Sequence, residues 1–226
     1  KIRAGFFMGI ARKILYEPPE SKQDPKAGDL PRGKAGGMKI AIVQINPVIG
    51  DFKRQFARIT AACDQARKDG CDLAVFPELV LCGYPPRDLL EQHGFVEANQ
   101  ACLERLMADV RGIGVVCGLV TTNPADTGKP LFNTAVLFEN GRLLHQVHKQ
   151  LLPTYDVFDE RRYFVSGRDA GFAPVVIEAA GWKLGLLICE YAWFDEPAQA
   201  ACAQGAHALL VLNASPFHAG KVAERE

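Results

Sequence analysis

The sequence has no excess of charge of either sign, because 26 Lys and Arg balance 26 Asp and Glu. No sequence-wide field therefore draws it to nucleic acid or anionic lipid. It has no run approaching the roughly 18 apolar residues that span a bilayer, and the stretch from Gly5 to Ile10 is too short for a signal-peptide core. A cytoplasmic chain with neither membrane nor nucleic acid as partner is expected. The cysteines, Cys63, Cys71, Cys82, Cys102, Cys117, Cys189 and Cys202, are odd in number and scattered, with no C-x-x-C pair. That argues against a disulfide framework or thiolate zinc site, and most of them read as small core hydrophobes. No G-x-G-x-x-G follows the first strand, and G-x-x-x-x-G-K-[ST] and G-x-S-x-G are missing. Dinucleotide, P-loop and serine-hydrolase chemistry thus lack support. His145 and His148, three apart on a strand, face opposite sides, so no metal site is expected.

What is there suits one globular core with an appendage: 226 residues, 48% hydrophobic and 23% charged. Residues 1–37 differ from the rest, with Gly and Pro at 10 positions and a net charge of +4 from 8 basic and 4 acidic residues. They are expected to form a flexible leader, a non-native extension, or sequence upstream of a start at Met38. A basic anchoring arm is the functional alternative.

From Met38 the pattern alternates. Residues 39–45 predict a strand, and Phe52, Phe56, Ile59, Cys63 and Ala66 recur on one helical stripe. Residues 72–76 and 113–120 predict buried strands, with helix within 89–110. Residues 132–139 and 142–148 predict a hairpin, since Asn140-Gly141 supplies the positive φ angles of a type I′ turn. A second pair, 174–178 and 182–188, precedes a helix over 195–204 and a strand over 208–213. The sheets are therefore expected to be mixed. Residues 221–226 read as a helix opening without continuation, so the domain is expected to extend past Glu226.

Three reactive side chains fall just past strand ends, where α/β proteins build sites: Glu78, Lys149 and Cys189. Each alone is more simply a solvated or packed residue. Together they supply a nucleophile, a base and an oxyanion stabiliser. A thiol of ordinary pKa is only a few per cent thiolate at neutral pH, so attack on an amide needs a nearby base.

The blocks Phe76-Pro77-Glu78-Leu79, Cys82-Gly83-Tyr84-Pro85-Pro86-Arg87-Asp88-Leu89-Leu90, His148-Lys149-Gln150-Leu151-Leu152-Pro153 and Ile188-Cys189-Glu190 resemble the signatures of the nitrilase, or carbon–nitrogen hydrolase, superfamily. Residues 155–164 and 213–221 resemble, more narrowly, the glutaminase domain of glutamine-dependent NAD+ synthetases. The resemblance runs from Met38 to the last residue. It implies a four-layer α-β-β-α sandwich, mixed α/β and C-terminally truncated here, that hydrolyses the side-chain amide of L-glutamine. Carried over by residue, Glu78 is the general base, Cys189 the nucleophile, Lys149 the oxyanion stabiliser and Glu160 a second glutamate near them. The Glu190 N–H shares the oxyanion. Tyr155, Ser215 and Lys221 bind glutamine, with Phe158 and Glu190 as pocket walls.

The glutaminase step implies no cofactor. ATP and Mg2+ are implied only for a C-terminal synthetase domain without counterpart here, which would receive the ammonia. A homo-oligomer is also implied. The chain departs from the family at Tyr191, where an Asp is usual two residues after the nucleophile. Glu160, beside Asp159, Arg161 and Arg162, also reads as part of a surface ion network; Tyr155 and Phe158 also read as core aromatics, and Lys221 as solvated. A free-standing amidase acting on another small amide, and a non-catalytic assembly module, are the alternative readings.

Overall fold

The computed structural model describes residues 37–125, 127–173, 175–215 and 220. The expected strand at 39–45 forms its ladder only over β1 (Ile40–Ile42), and one further bond, from Val43 N to Val75 O, extends the pairing before Pro47. Helix α1 (Phe52–Lys68) starts where the Asp51 side chain accepts from the Arg54 N–H, satisfying a first-turn donor. It ends with Arg67 and Lys68 in the last turn, which suit the negative pole of its dipole. Strand β2 (Leu73–Val75) is wholly buried.

The helix expected within 89–110 is divided. A 3-10 turn over Arg87–Glu91 is separated from α2 (His93–Asp109) by Gln92, whose extended backbone interrupts the helical ladder. Strands β3 (Gly114–Thr122), β4 (Leu131–Glu139) and β5 (Arg142–His148) follow. Asn140 and Gly141 both have positive φ, as the tight hairpin requires. The other hairpin, β6 (Val176–Ala179) and β7 (Trp182–Ile188), turns on Ala180-Gly181, also both at positive φ. A 3-10 turn over Glu160–Arg162 lies between β5 and β6, and a 3-10 turn over Cys189–Trp193, α3 (Asp195–Ala203) and β8 (Ala208–Leu212) complete the described elements.

Strands β1 to β5 form one sheet in sequence order, parallel from β1 to β3 and antiparallel from β3 to β5. Strands β6, β7 and β8 form a second, with β6 antiparallel and β8 parallel to β7. The period of two along each strand decides the layering. Ala74, Val115, Cys117, Leu119, Val136 and Phe138 face α1 and α2, packing on Ile59, Cys63, Leu103 and Leu106. Their neighbours Leu73, Val75, Val116, Ala135 and Leu137 face the second sheet and meet Leu184, Leu186, Ile188, Leu210 and Leu212. On the far side of β7, a Cβ added at Gly185 would lie 2.7 Å from the Ala201 Cβ of α3, so the glycine is what lets that helix sit close. The order is helix, sheet, sheet, helix, the expected sandwich. Each aliphatic side chain taken fully out of water in these layers contributes about 1.5–3 kcal/mol. Among the described residues no helix is long and apolar enough to cross a membrane.

Candidate active site

The inter-sheet seam ends where three chain segments meet. After β2, residues 76–86 fold back over β3, and Gly118 makes the approach possible: a Cβ there would lie 2.7 Å from Glu78 Cα and closer still to the Leu79 backbone nitrogen. Only a residue without a side chain lets the Glu78 backbone cross β3. Lys149 follows β5, with its backbone N–H bonded to Asn133 O at 2.8 Å. Cys189 follows β7 at φ +46, a conformation that side-chain-bearing residues avoid. Leu79, Arg87 and Asp156 share that rare conformation. The positive-φ residues outside the two hairpin turns and the glycines therefore gather around this region, as strain tends to at functional sites.

Lys149 is 1% exposed, and its ammonium donates to Glu78 Oε1 at 2.7 Å and to Glu160 Oε1 at 2.8 Å. Asn133 Nδ2 donates to the same Glu78 oxygen at 2.8 Å, and the Tyr84 hydroxyl to the same Glu160 oxygen at 2.7 Å. The second oxygen of each carboxylate, Oε2, is buried and has no hydrogen-bond partner. Glu160 is thus a core member of the cluster and not part of the surface ion network, whose exposed Arg161 pairs loosely with Asp169 at 3.9 Å. The sequence alone assigns no role to Asn133 or to Tyr84. An amide within the apolar run Leu131-Phe132-Asn133-Thr134-Ala135-Val136 was the available signal for the first.

Burial alone would lower the affinity of Lys149 for its proton, but the Glu160 and Glu78 carboxylates hold it above the ordinary lysine range. Burial pushes the Cys189 thiol up, and the Glu78 carboxylate adds to this, while Lys149 and a backbone hydrogen bond with Ala214 oppose it. A thiol whose hold on its proton is raised in this way needs a base before its sulfur can attack a carbon. The 3-10 turn that begins at Cys189 carries the Glu190 N–H in its first turn, where amides lack an intrahelical acceptor and can face a developing oxyanion.

Burial, helped by the Glu78 carboxylate, also raises Glu160 from 4.5 to about 7, against the pull of Lys149 and Tyr84. Its folded form therefore binds a proton more tightly than its unfolded form, and the stability it contributes is lost as pH rises from about 4.5 through about 7. Glu160→Gln is expected to remove that slope. Urea titrations between pH 5 and pH 8 should show the wild type losing stability relative to the variant as pH rises; parallel curves would contradict the assignment.

The expected substrate residues are distributed unevenly. Tyr155 is 55% exposed, so it is not a core aromatic, and its hydroxyl donates to Glu190 Oε2 at 2.7 Å. Phe158 packs between Tyr155 and Tyr84, at ring separations of 5.7 and 6.2 Å. Ser215 is buried, next to Ala214. Lys221 lies outside the described residues. A cavity of about 430 Å3 is lined by Tyr84, Phe158, Glu160, Tyr163, Arg87 and Arg162 among others, but not by Cys189. Its wall reaches the cluster through Glu160 and Tyr84. Tyr191, the departure from the family pattern, is buried; burial raises its phenol while the positive charge of Arg168 opposes the rise, and Arg168 pairs with Glu196 at 3.2 Å. His148 bonds Thr134 through Nδ1 at 2.9 Å and stacks on Phe132, and burial lowers it to about 4, a packed neutral imidazole. Among the described residues no group of three His, Cys, Asp or Glu could hold a metal ion.

Residues 39–224 match the family described as carbon–nitrogen hydrolase. The glutamine-dependent NAD+ synthetase of Xylella fastidiosa strain Temecula1 is 40% identical over 190 residues, which cover 84% of this chain and 34% of that protein. The structure of the glutamine-dependent NAD+ synthetase of Acinetobacter baumannii in complex with ADP superposes with a TM-score of 0.76 at 34% identity, covering 83% of this chain and 34% of that one. An amidase from Nesterenkonia sp. superposes with a TM-score of 0.70 at 30% identity, covering 82% of this chain and 68% of that one. The chain spans about a third of the length of the synthetases it matches.

Proposed function

Since the chain belongs to the carbon–nitrogen hydrolase family, we propose that it hydrolyses the side-chain amide of L-glutamine to glutamate and ammonia. In this reading residues 38–226 are the ammonia-supplying part of a glutamine-dependent NAD+ synthetase. The single observation that carries amide hydrolysis is the buried lysine shared by two carboxylates, each with one bare oxygen, beside a thiol at the end of β7. Glu78 takes the Cys189 proton as the sulfur attacks the amide carbon. Lys149 and the Glu190 N–H stabilise the oxyanion, the proton passes to the departing ammonia, and water then cleaves the γ-glutamyl thioester. Tyr155, Phe158, Glu190, Ser215 and Lys221 are the proposed holders of the substrate's amino-acid end.

These steps need no cofactor; ATP and Mg2+ would serve a synthetase domain that consumes the ammonia, and homo-oligomerisation is part of the same proposal. The preference for glutamine over other amides rests on the similarity to synthetases and on the polar rim formed by Tyr155 and Glu190. The Nesterenkonia likeness favours, as a second reading, a free-standing amidase for small amides. Measured side by side, kcat/KM for L-glutamine is expected to exceed that for propionamide by about 100-fold or more, because a site built for charged and hydrogen-bonding groups rejects a substrate that lacks them. Equal values would favour the second reading. An inert assembly module predicts no turnover of either amide.

A further inference from the structure

We propose that Asn133 is a positioning residue that decides which oxygen of Glu78 receives the Cys189 proton. The proposal rests on the cysteine amidohydrolase reading above and adds a residue to it. Asn133 stands on β4 two residues before Ala135, so the strand's period of two directs its side chain to the inter-sheet seam where β7 delivers Cys189. There Nδ2 donates to Glu78 Oε1, the oxygen that Lys149 already holds. An oxygen accepting two short bonds, one from an ammonium, is the poorer proton acceptor of its carboxylate. Oε2, buried and without a partner, keeps the basicity. The same residue sets the other half of the ion pair, because its backbone carbonyl accepts the Lys149 N–H at 2.8 Å.

The cost of keeping an amide here is visible. Asn133 Oδ1 is buried and unpartnered, in a strand whose neighbours on that face are apolar. An apolar residue of the same shape would remove that orphan acceptor, which offsets part of the cost of losing the bond to Glu78. The bond to Glu78 is what such a replacement would lose. Without it Lys149 alone fixes the orientation of the carboxylate, and the ionised form loses a donor.

The test uses the full chain and measures the rate at which iodoacetamide alkylates Cys189 as a function of pH. Cys189→Ser supplies the blank for the other six cysteines. Iodoacetamide carries no amino-acid group, so the readout does not depend on glutamine being the substrate. For Asn133→Leu we expect a folded protein in which the acidic limb of the profile moves up by about one pH unit, and the rate at neutral pH falls about tenfold. Glutamine turnover should fall in kcat by a similar factor, with KM changed less than about threefold. A lower thermal midpoint with an unmoved profile would mean a merely structural role and would overturn the proposal. So would a wild-type Cys189 that reacts no faster than the other thiols. Should Asn133→Leu not fold, Asn133→Ser, too short to reach Glu78, must show the same shift, and an unmoved profile there would sink it. A shifted profile in a protein that ignores glutamine would support the role of Asn133 while removing the glutaminase reading.

Discussion

Cys189→Ala is expected to lower glutamate release from glutamine by on the order of 10^4-fold or more, leaving the fold in place. The size follows from the role: a nucleophile that forms the covalent intermediate has no substitute among its neighbours, and loss of such a group in a cysteine or serine hydrolase removes nearly all turnover. The fold should survive because alanine keeps the Cβ and loses only the sulfur, so the backbone strain at φ +46 is the same in both proteins. The contrast with Cys82→Ala makes the result specific. Cys82 is equally buried, and burial lifts its thiol to about 12, but it sits against the carbonyls of Leu79 and Gly83 under the loop and not at a strand end. That variant should lose stability while keeping glutamine turnover within a few-fold of wild type. Coupled assay of glutamate and ammonia with both variants decides it, and equal release from wild type and Cys189→Ala would end the assignment.

Why the three strand-end residues could be picked out, and their companions could not, follows from what a sequence displays. A charged or nucleophilic residue directly after an apolar run is visible, as Glu78 is after Leu73-Ala74-Val75-Phe76-Pro77, and although each alone is more simply solvated or packed, the three together supply the parts of one reaction. Asn133 and Tyr84 are neutral donors, common in strands and loops, and only the coordinates show that each closes on a carboxylate already held by Lys149. The rare backbone at Cys189 is likewise invisible: its φ comes from the strand handing over to a 3-10 turn, not from a glycine that could be read. The two hairpins show the same contrast. Asn140-Gly141 announces its turn, whereas Ala180-Gly181 places an alanine at positive φ, where local preference is overruled by the pairing of β6 with β7. The division between the 3-10 turn and α2 is not legible because Gln92 is an ordinary helix former, and nothing in its side chain marks the extended backbone it adopts.

The same lysine that makes the cluster possible also makes it fragile. Lys149→Met is expected to cost about 3–5 kcal/mol at neutral pH, the usual penalty for removing one partner from a buried ion pair, because two carboxylates are then left facing each other without a cation. Its ammonium is held above the ordinary range in the folded state, so the stability it contributes is fully present below the unfolded lysine value and is lost only in strong alkali. Across the neutral range the variant should lose stability as pH rises, and more steeply than the wild type. With no cation to oppose burial, a carboxyl such as Glu160 must take up a proton to stay inside, so the destabilisation grows as pH rises from 5 to 8. Glutamine turnover should fall by at least about 100-fold, the usual loss when one oxyanion donor goes. Lys149→Met combined with Glu160→Gln should recover part of the stability and none of the turnover, because one fewer buried charge relieves the repulsion while the oxyanion donor stays missing. Urea titration at both pH values measures the first effect and the glutamate assay the second. A Lys149→Met protein as stable as wild type at pH 8 would show that this ammonium does not neutralise the pair, and the electrostatic account of the site would fall with it.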